Sequence, residues 1–279
     1  MKYFILGLIV AQTISAATLN LVGHRGASTY APENSLLAIL LAYEQGALAA
    51  ECDIQLTKDG KIVLLHDESL LRTAGVDRLI VDVTYEQIKD LDLSCEQKLC
   101  KNAVGIPLLS NVVERIPKDK FLFVEIKAGD LNQGISDAFI NALIDFIERT
   151  PKQTLDKLVF ISFNHEVLRR LKFLFHDLSC MPLLAFRQSD GSWPYVLTEE
   201  DIQEYVGMAQ RNGFLGLFLE YGDYLTKEIV VNLQTQGLMV AVWNYQVDDT
   251  LYTAKTMASY GVDFYNTNDV PKIVQALKI

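Results

Sequence analysis

Phe121-Leu122-Phe123-Val124-Glu125-Ile126 carries one charge among five apolar side chains. A strand with one face in water alternates apolar and polar residues, whereas a strand covered on both faces does not. This stretch therefore reads as a strand of a parallel sheet, with Glu125 the one residue out of keeping. Working outward, similar runs occupy residues 19–23, 50–54, 158–163, 182–186, 215–219, 239–243 and 262–265, separated by stretches of helical periodicity. Eight such strands alternating with helices imply a closed (β/α)8 barrel, a TIM-type α/β fold, with an open doubly wound sheet as the alternative.

Residues 61–65 follow the second strand too closely for a helix to intervene. Asp59-Gly60 reads instead as a two-residue hairpin turn. On that register Lys58 pairs with Lys61, and His66 comes to lie opposite Asp53. Residues 67–106, with a modest helix expected over 85–91, form a small insertion on the same face of the barrel. The helix over 107–116 then completes the second unit. One domain over 18–279 accommodates all of this, because barrels of about 250 residues form single domains.

The first seventeen residues hold Lys2, an apolar run over 3–11, and Ser15-Ala16-Ala17. This is the build of a signal peptide cleaved after Ala17, and it implies export to a periplasm or the exterior. The apolar run is well short of the roughly 20 residues that cross a bilayer, so no stable membrane span is expected. A formal net charge of −10 disfavours nucleic acid as a partner. Export makes a disulfide between Cys95 and Cys100 the expected state of that polar loop. Cys52 and Cys180 read as buried thiols, one inside a strand and one just before another.

Barrels place reactive groups at the carboxyl ends of their strands. Those ends carry His24, Arg25, Glu51, Asp53, Glu125, Lys127, Glu220 and Trp243. Side chains two apart on a strand share a face, so Glu51 converges with Asp53 and Glu125 with Lys127. Three inward carboxylates repel one another unless a cation joins them, and oxygen ligands suit Mg²⁺ or Ca²⁺. His24 and His66 stand at strand ends facing the same mouth, where one can act as base and the other as acid. Arg25 and Lys127 supply cations for phosphate oxygens. Gly26 allows close backbone approach to a ligand. Asn34 or Ser35 is either a helix N-cap or a site residue. His165 and His176, among basic helical residues, read as surface groups.

Gly23-His24-Arg25-Gly26, Pro32-Glu33-Asn34-Ser35, Glu51-Cys52-Asp53, Lys58-Asp59-Gly60, His66-Asp67, Glu125-Ile126-Lys127, Ser162-Phe163 and Trp243 occur in the order found in glycerophosphodiester phosphodiesterases, which this chain resembles from about residue 20 to its end. The resemblance implies a barrel with an insertion after the second strand and a Ca²⁺ or Mg²⁺ cofactor. It implies a small-molecule glycerophosphodiester substrate, cut to sn-glycerol 3-phosphate and an alcohol. It maps metal ligation to Glu51, Asp53 and Glu125, proton transfer to His24 and His66, and phosphate contact to Arg25 and Lys127. Phe163, Trp243 and Glu220 are then expected against the substrate. The chain departs from the family pattern at Asn244-Tyr245-Gln246 and at Val262-Asp263-Phe264-Tyr265-Asn266, which shape the pocket. A lysophospholipase D or sphingomyelinase D type activity is the nearest alternative, and a binding protein that kept the fold without turnover is a more distant one.

Overall fold

The computed structural model describes residues 19–93, 103–127, 136–186, 198–244 and 249–278. Its strands are β1 (Asn20–Gly23), β2 (Ala49–Leu56), β3 (Ile62–Leu64), β4 (Phe121–Ile126), β5 (Leu158–Ser162), β6 (Cys180–Leu184), β7 (Gly216–Glu220), β8 (Met239–Trp243) and β9 (Phe264–Thr267). They form one sheet in the order β1-β9-β8-β7-β6-β5-β4-β2-β3, and a further β1–β2 pairing closes it. Without β3, eight parallel strands make the barrel that the apolar runs predict.

Alternation along each strand divides the interior into two layers. One set of positions, including Val22, Phe123, Ile161, Met181, Phe218, Ala241 and Phe264, fills the barrel. The intervening positions, including Leu21, Cys52, Val124, Phe160, Leu219 and Val242, face the surrounding helices. Phe123 meets Phe218 and Phe264 edge-on across the barrel, with ring centroids 5.7 and 5.2 Å apart. Truncating a ring packed in this way costs about 3–5 kcal/mol. Cys52 and Cys180 are buried free thiols, although Cys180 opens β6 rather than preceding it.

Strand ends follow the neighbours' hydrogen bonds more than their own apolarity. β6 begins two residues before the apolar run suggests, because Cys180 pairs with Phe160. β9 continues two residues beyond it, because the polar Asn266 and Thr267 pair with Val22 and Gly23. The short helices Tyr85–Ile88 and Leu109–Val113 lie within the expected ranges but are briefer.

The hairpin register differs from expectation by one residue. Ile54 pairs with Leu64 and Leu56 with Ile62, and Asp53 lies beside Leu65, whose N–H bonds its carbonyl at 3.0 Å. Gly60 has φ 75°, and Thr57 N–H bonds Lys61 O at 3.0 Å, so Lys58-Asp59-Gly60 is a three-residue connection closed by a left-handed glycine. His66 is therefore past the end of the ladder and not cross-strand from Asp53. It enters the mouth along the chain, with Gln55 Nε2 donating to its carbonyl at 2.9 Å.

Candidate active site

The inner positions at the carboxyl ends of the strands line one cavity of about 840 Å³. β2 and β4 contribute Glu51 and Glu125, β5 to β8 contribute Ile161, Leu183, Phe218 and Trp243, and β9 contributes Asn266. The wall is thus acidic on one side and apolar on the other, with Asn244, Asn266 and Asn268 between them along the β8–β9–β1 arc. Phe163, just past β5, packs edge-on against Trp243 at 5.5 Å.

Glu51, Asp53 and Glu125 each offer a carboxylate oxygen within 4.8 Å of the others. Glu51 and Asp53 are almost fully buried, and Glu51 Oε1 has no hydrogen-bond partner among the described residues. Burial pushes the Glu51 carboxyl well above the usual range, and Asp53 and Glu125 push it further. Burial and then Asp53 raise Glu125 to about 7. Asp53 moves downward, because Lys127 and Arg25, aided by His66, outweigh its burial. An orphaned oxygen among converging hard donors fits a divalent cation, which would take the place of the protons that the bare cluster retains.

Cations and amides hold these carboxylates in place. Lys127 Nζ lies 2.6 Å from Glu125 Oε1 and 3.0 Å from Asp53 Oδ1. Arg25, at φ 54°, turns its N–H onto Glu51 Oε2 at 2.8 Å, and its Nε lies 3.5 Å from Asp53 Oδ2. Asn34, at φ 57°, donates to Asp53 Oδ2 at 2.8 Å and accepts from the Asp53 N–H at 2.9 Å. Ser35 caps the helix Leu36–Glu44 by accepting from Ala38 N–H. The two residues therefore divide the roles that the sequence leaves open. A Cβ on Gly26 (φ 81°) would fall 2.4 Å from the Ala38 carbonyl carbon, so the approach that requires glycine here is to this helix and not to a ligand.

Both histidines are anchored through Nδ1, which leaves Nε2 for the cavity. His24 Nδ1 meets Asn268 Oδ1 at 2.8 Å, and His66 Nδ1 meets Asp67 Oδ1 at 2.6 Å. His24 Nε2 is 4.0 Å from Glu51 Oε2. Burial, reinforced by Arg25, lowers His24 to about 4, and burial also lowers His66.

His24, Arg25, Glu51, His66, Glu125, Lys127, Phe163 and Trp243 all line this cavity, with Asp53 immediately behind it. Glu220 does not line it: although on the inner face of β7, it is fully buried and accepts the Phe186 N–H at 2.8 Å, tying the end of β6 to β7. His165 is half-buried rather than superficial, and its Nε2 donates to Leu183 O at 2.9 Å. The Cys95/Cys100 pair and the first seventeen residues lie outside the described residues. The strand-end rule would find Asn268 only if β9 were read two residues longer. Asp67 appears in the sequence only as part of a motif, and Arg72 carries no signal of its own.

Fold and site together define a class of α/β barrel that carries, on one mouth, a carboxylate cluster suited to a divalent cation, a wall with the cations Arg25 and Lys127, and two anchored imidazoles. The chain belongs to the glycerophosphoryl diester phosphodiesterase family, whose model matches residues 24–272. A glycerophosphodiester phosphodiesterase of Bacillus altitudinis is 30% identical over 243 residues, covering 86% of this chain and 90% of its own length. One from Caldanaerobacter subterraneus subsp. tengcongensis is 38% identical over 155 residues, 54% of this chain and 60% of its own length. The match to YqiK of Bacillus subtilis likewise spans 58% of that relative. A phosphodiesterase of Oleispira antarctica, solved in complex with the product sn-glycerol-3-phosphate, shares the fold with a TM-score of 0.76 at 24% identity, covering 97% of this chain and 99% of that one.

Proposed function

We propose that this chain hydrolyses glycerophosphodiesters to sn-glycerol 3-phosphate and an alcohol, with Mg²⁺ or Ca²⁺ held by Glu51, Asp53 and Glu125. The observation that carries this is the meeting of those three carboxylates with His24 and His66 on one cavity. A divalent cation bound there would supply positive charge to the phosphoryl oxygens. Hydrolysis forms a P–O bond from the attacking water and breaks the P–O bond to the alcohol; the water's proton passes to one imidazole, and the departing alkoxide takes a proton from the other. Asn268 and Asp67 fix the two rings so that Nε2 is presented in each case. Arg25 and Lys127, held at the cavity wall by carboxylates, orient the anionic diester. The apolar arc of Ile161, Phe163, Leu183, Phe218 and Trp243 faces the substituent on phosphorus and shields the reaction from bulk water.

That same arc favours a second reading, in which a lysophospholipid is cut by the same chemistry. Product analysis on glycerophosphocholine and lysophosphatidylcholine, each with and without EDTA, tests both. Release of glycerol 3-phosphate from the first, abolished by EDTA, is the expected result. Turnover of neither substrate with Mg²⁺ or Ca²⁺ present removes the proposal. The reading extends to an exported chain, on the strength of Lys2, the apolar run over 3–11 and the small residues Ser15-Ala16-Ala17.

A further inference from the structure

The insertion that follows β3 packs around a small core of its own, including Val63, Leu65, Leu70, Ile80 and Ile88, separate from the two barrel layers. That core fixes the one-turn helix Leu71–Ala74, since Leu70 before it and Thr73 within it are buried. Arg72 is thereby delivered to the cavity wall. Its Nε donates to Asp67 Oδ2 at 2.6 Å, and its two terminal nitrogens donate to Glu33 Oε2 at 2.9 Å and Oε1 at 2.7 Å. The other Asp67 oxygen lies 2.6 Å from His66 Nδ1, while Glu33 Oε1 also accepts from Arg25 at 3.0 Å. Glu33 itself is largely enclosed, with its side chain 12% exposed. One planar guanidinium thus fastens the carboxylate behind His66 to the carboxylate behind Arg25.

We propose that Arg72 is a positioning residue for the phosphodiesterase reaction: it locks Asp67 so that His66 keeps its Nδ1 anchor and presents Nε2 to the substrate. The inference rests on the hydrolase reading above. The Asp67 side chain is 29% exposed, so without Arg72 it has a ready path to solvent, and the imidazole loses the partner that fixes its ring. A lysine cannot replace the fork, because an ammonium on a flexible stem does not bridge two carboxylates in fixed geometry. The insertion then has a definite task, which is to bring this guanidinium to the mouth of the barrel.

The test uses the full chain with Arg72→Ala, Arg72→Lys, Asp67→Asn and the Arg72→Ala/Asp67→Asn double variant. With Mg²⁺ and glycerophosphocholine, each single variant is expected to lose about 10–100-fold in kcat with KM nearly unchanged. The double variant is expected to be no worse than the poorer single, because both changes release the same ring. A readout independent of turnover is the low-field proton resonance of the His66 Nδ1–H. It is expected in the wild type and lost in Arg72→Ala and Asp67→Asn, even if the natural substrate is not a glycerophosphodiester. A rise in KM with kcat unchanged would make Arg72 a direct substrate contact and overturn the proposal. Additive losses, or an unchanged resonance in Arg72→Ala, would overturn it as well. If Arg72→Ala does not fold, Arg72→Lys decides: wild-type kcat and an intact resonance in that variant refute the positioning role.

Discussion

Asn34→Ala is the sharpest probe of how the carboxylate cluster is held. Asn34 is 2% exposed, and its amide makes both hydrogen bonds to Asp53, one to the carboxylate and one from the backbone N–H. Removing the amide loses a bond to a charged group, about 2 kcal/mol, and orphans a buried N–H at about 1–2 kcal/mol. Alanine must also adopt the left-handed backbone at φ 57°, where asparagine is far better tolerated, for about 1 kcal/mol more. The sum is about 4–5 kcal/mol, a large part of the 5–15 kcal/mol that usually separates folded from unfolded chains. At about 3 °C per kcal/mol for a chain of this size, the melting temperature in EDTA should fall by about 12–15 °C. Asn34→Gly separates the contributions: it keeps the backbone conformation and loses only the hydrogen bonds, so it should recover about 3 °C of the loss. Calorimetric or circular-dichroism melts of the three proteins make the measurement. An Asn34→Ala variant that melts within about 3 °C of the wild type would refute this account of how Asp53 is held.

Chelation with EDTA should abolish turnover, and Mg²⁺ or Ca²⁺ should restore it; activity that persists in excess EDTA would contradict the metal assignment. Because burial raises Glu51 well above the usual range and Glu125 to about 7, the metal-free cluster carries protons near neutrality. Cation binding must expel them, so affinity should weaken as the pH falls through about 7, and calorimetry at pH 6 in buffers of different ionisation enthalpy should register proton release. His24→Ala and His66→Ala should each lower turnover by roughly two to four orders of magnitude without additivity, and a p-nitrophenyl diester, whose leaving group needs no proton, should rescue only the variant that lacks the acid. Near-normal rates on natural diesters for both variants would sink the mechanism. Non-reducing peptide mass spectrometry of protein from an oxidising compartment should find Cys95 joined to Cys100, and two free thiols would refute the bridge.

Most of the barrel was legible because its strands are buried on both faces, and that burial writes uninterrupted apolar runs into the chain. Glu51 and Glu125 stood out for the same reason, since a charge inside such a run needs a partner. The strand ends at Cys180 and Thr267 were less legible, because pairing with Phe160 and Gly23 extends them beyond their own apolar residues. The hairpin register failed by one residue because Asp-Gly fits both two- and three-residue connections, whose glycine is left-handed in either case, and only the pairing of Thr57 with Lys61 distinguishes them. Glu220 shared the strand-end signature of the cavity residues, but it is fully buried and accepts the Phe186 N–H.

The sequence by itself determined the eight-stranded α/β barrel, the face on which chemistry would lie, and the carboxylates and imidazoles that meet there. These follow from alternation along a strand and from the end of the strand that faces the mouth, both local properties. Only the tertiary structure decided which distant residues hold those groups in place. Asn268 reaches His24 across 244 positions of the chain, Arg72 reaches Glu33 across 39, and Asn34 reaches Asp53 across 19. Contacts of that kind leave no periodic trace in sequence, because closing the barrel and folding the insertion onto it are what bring the partners together.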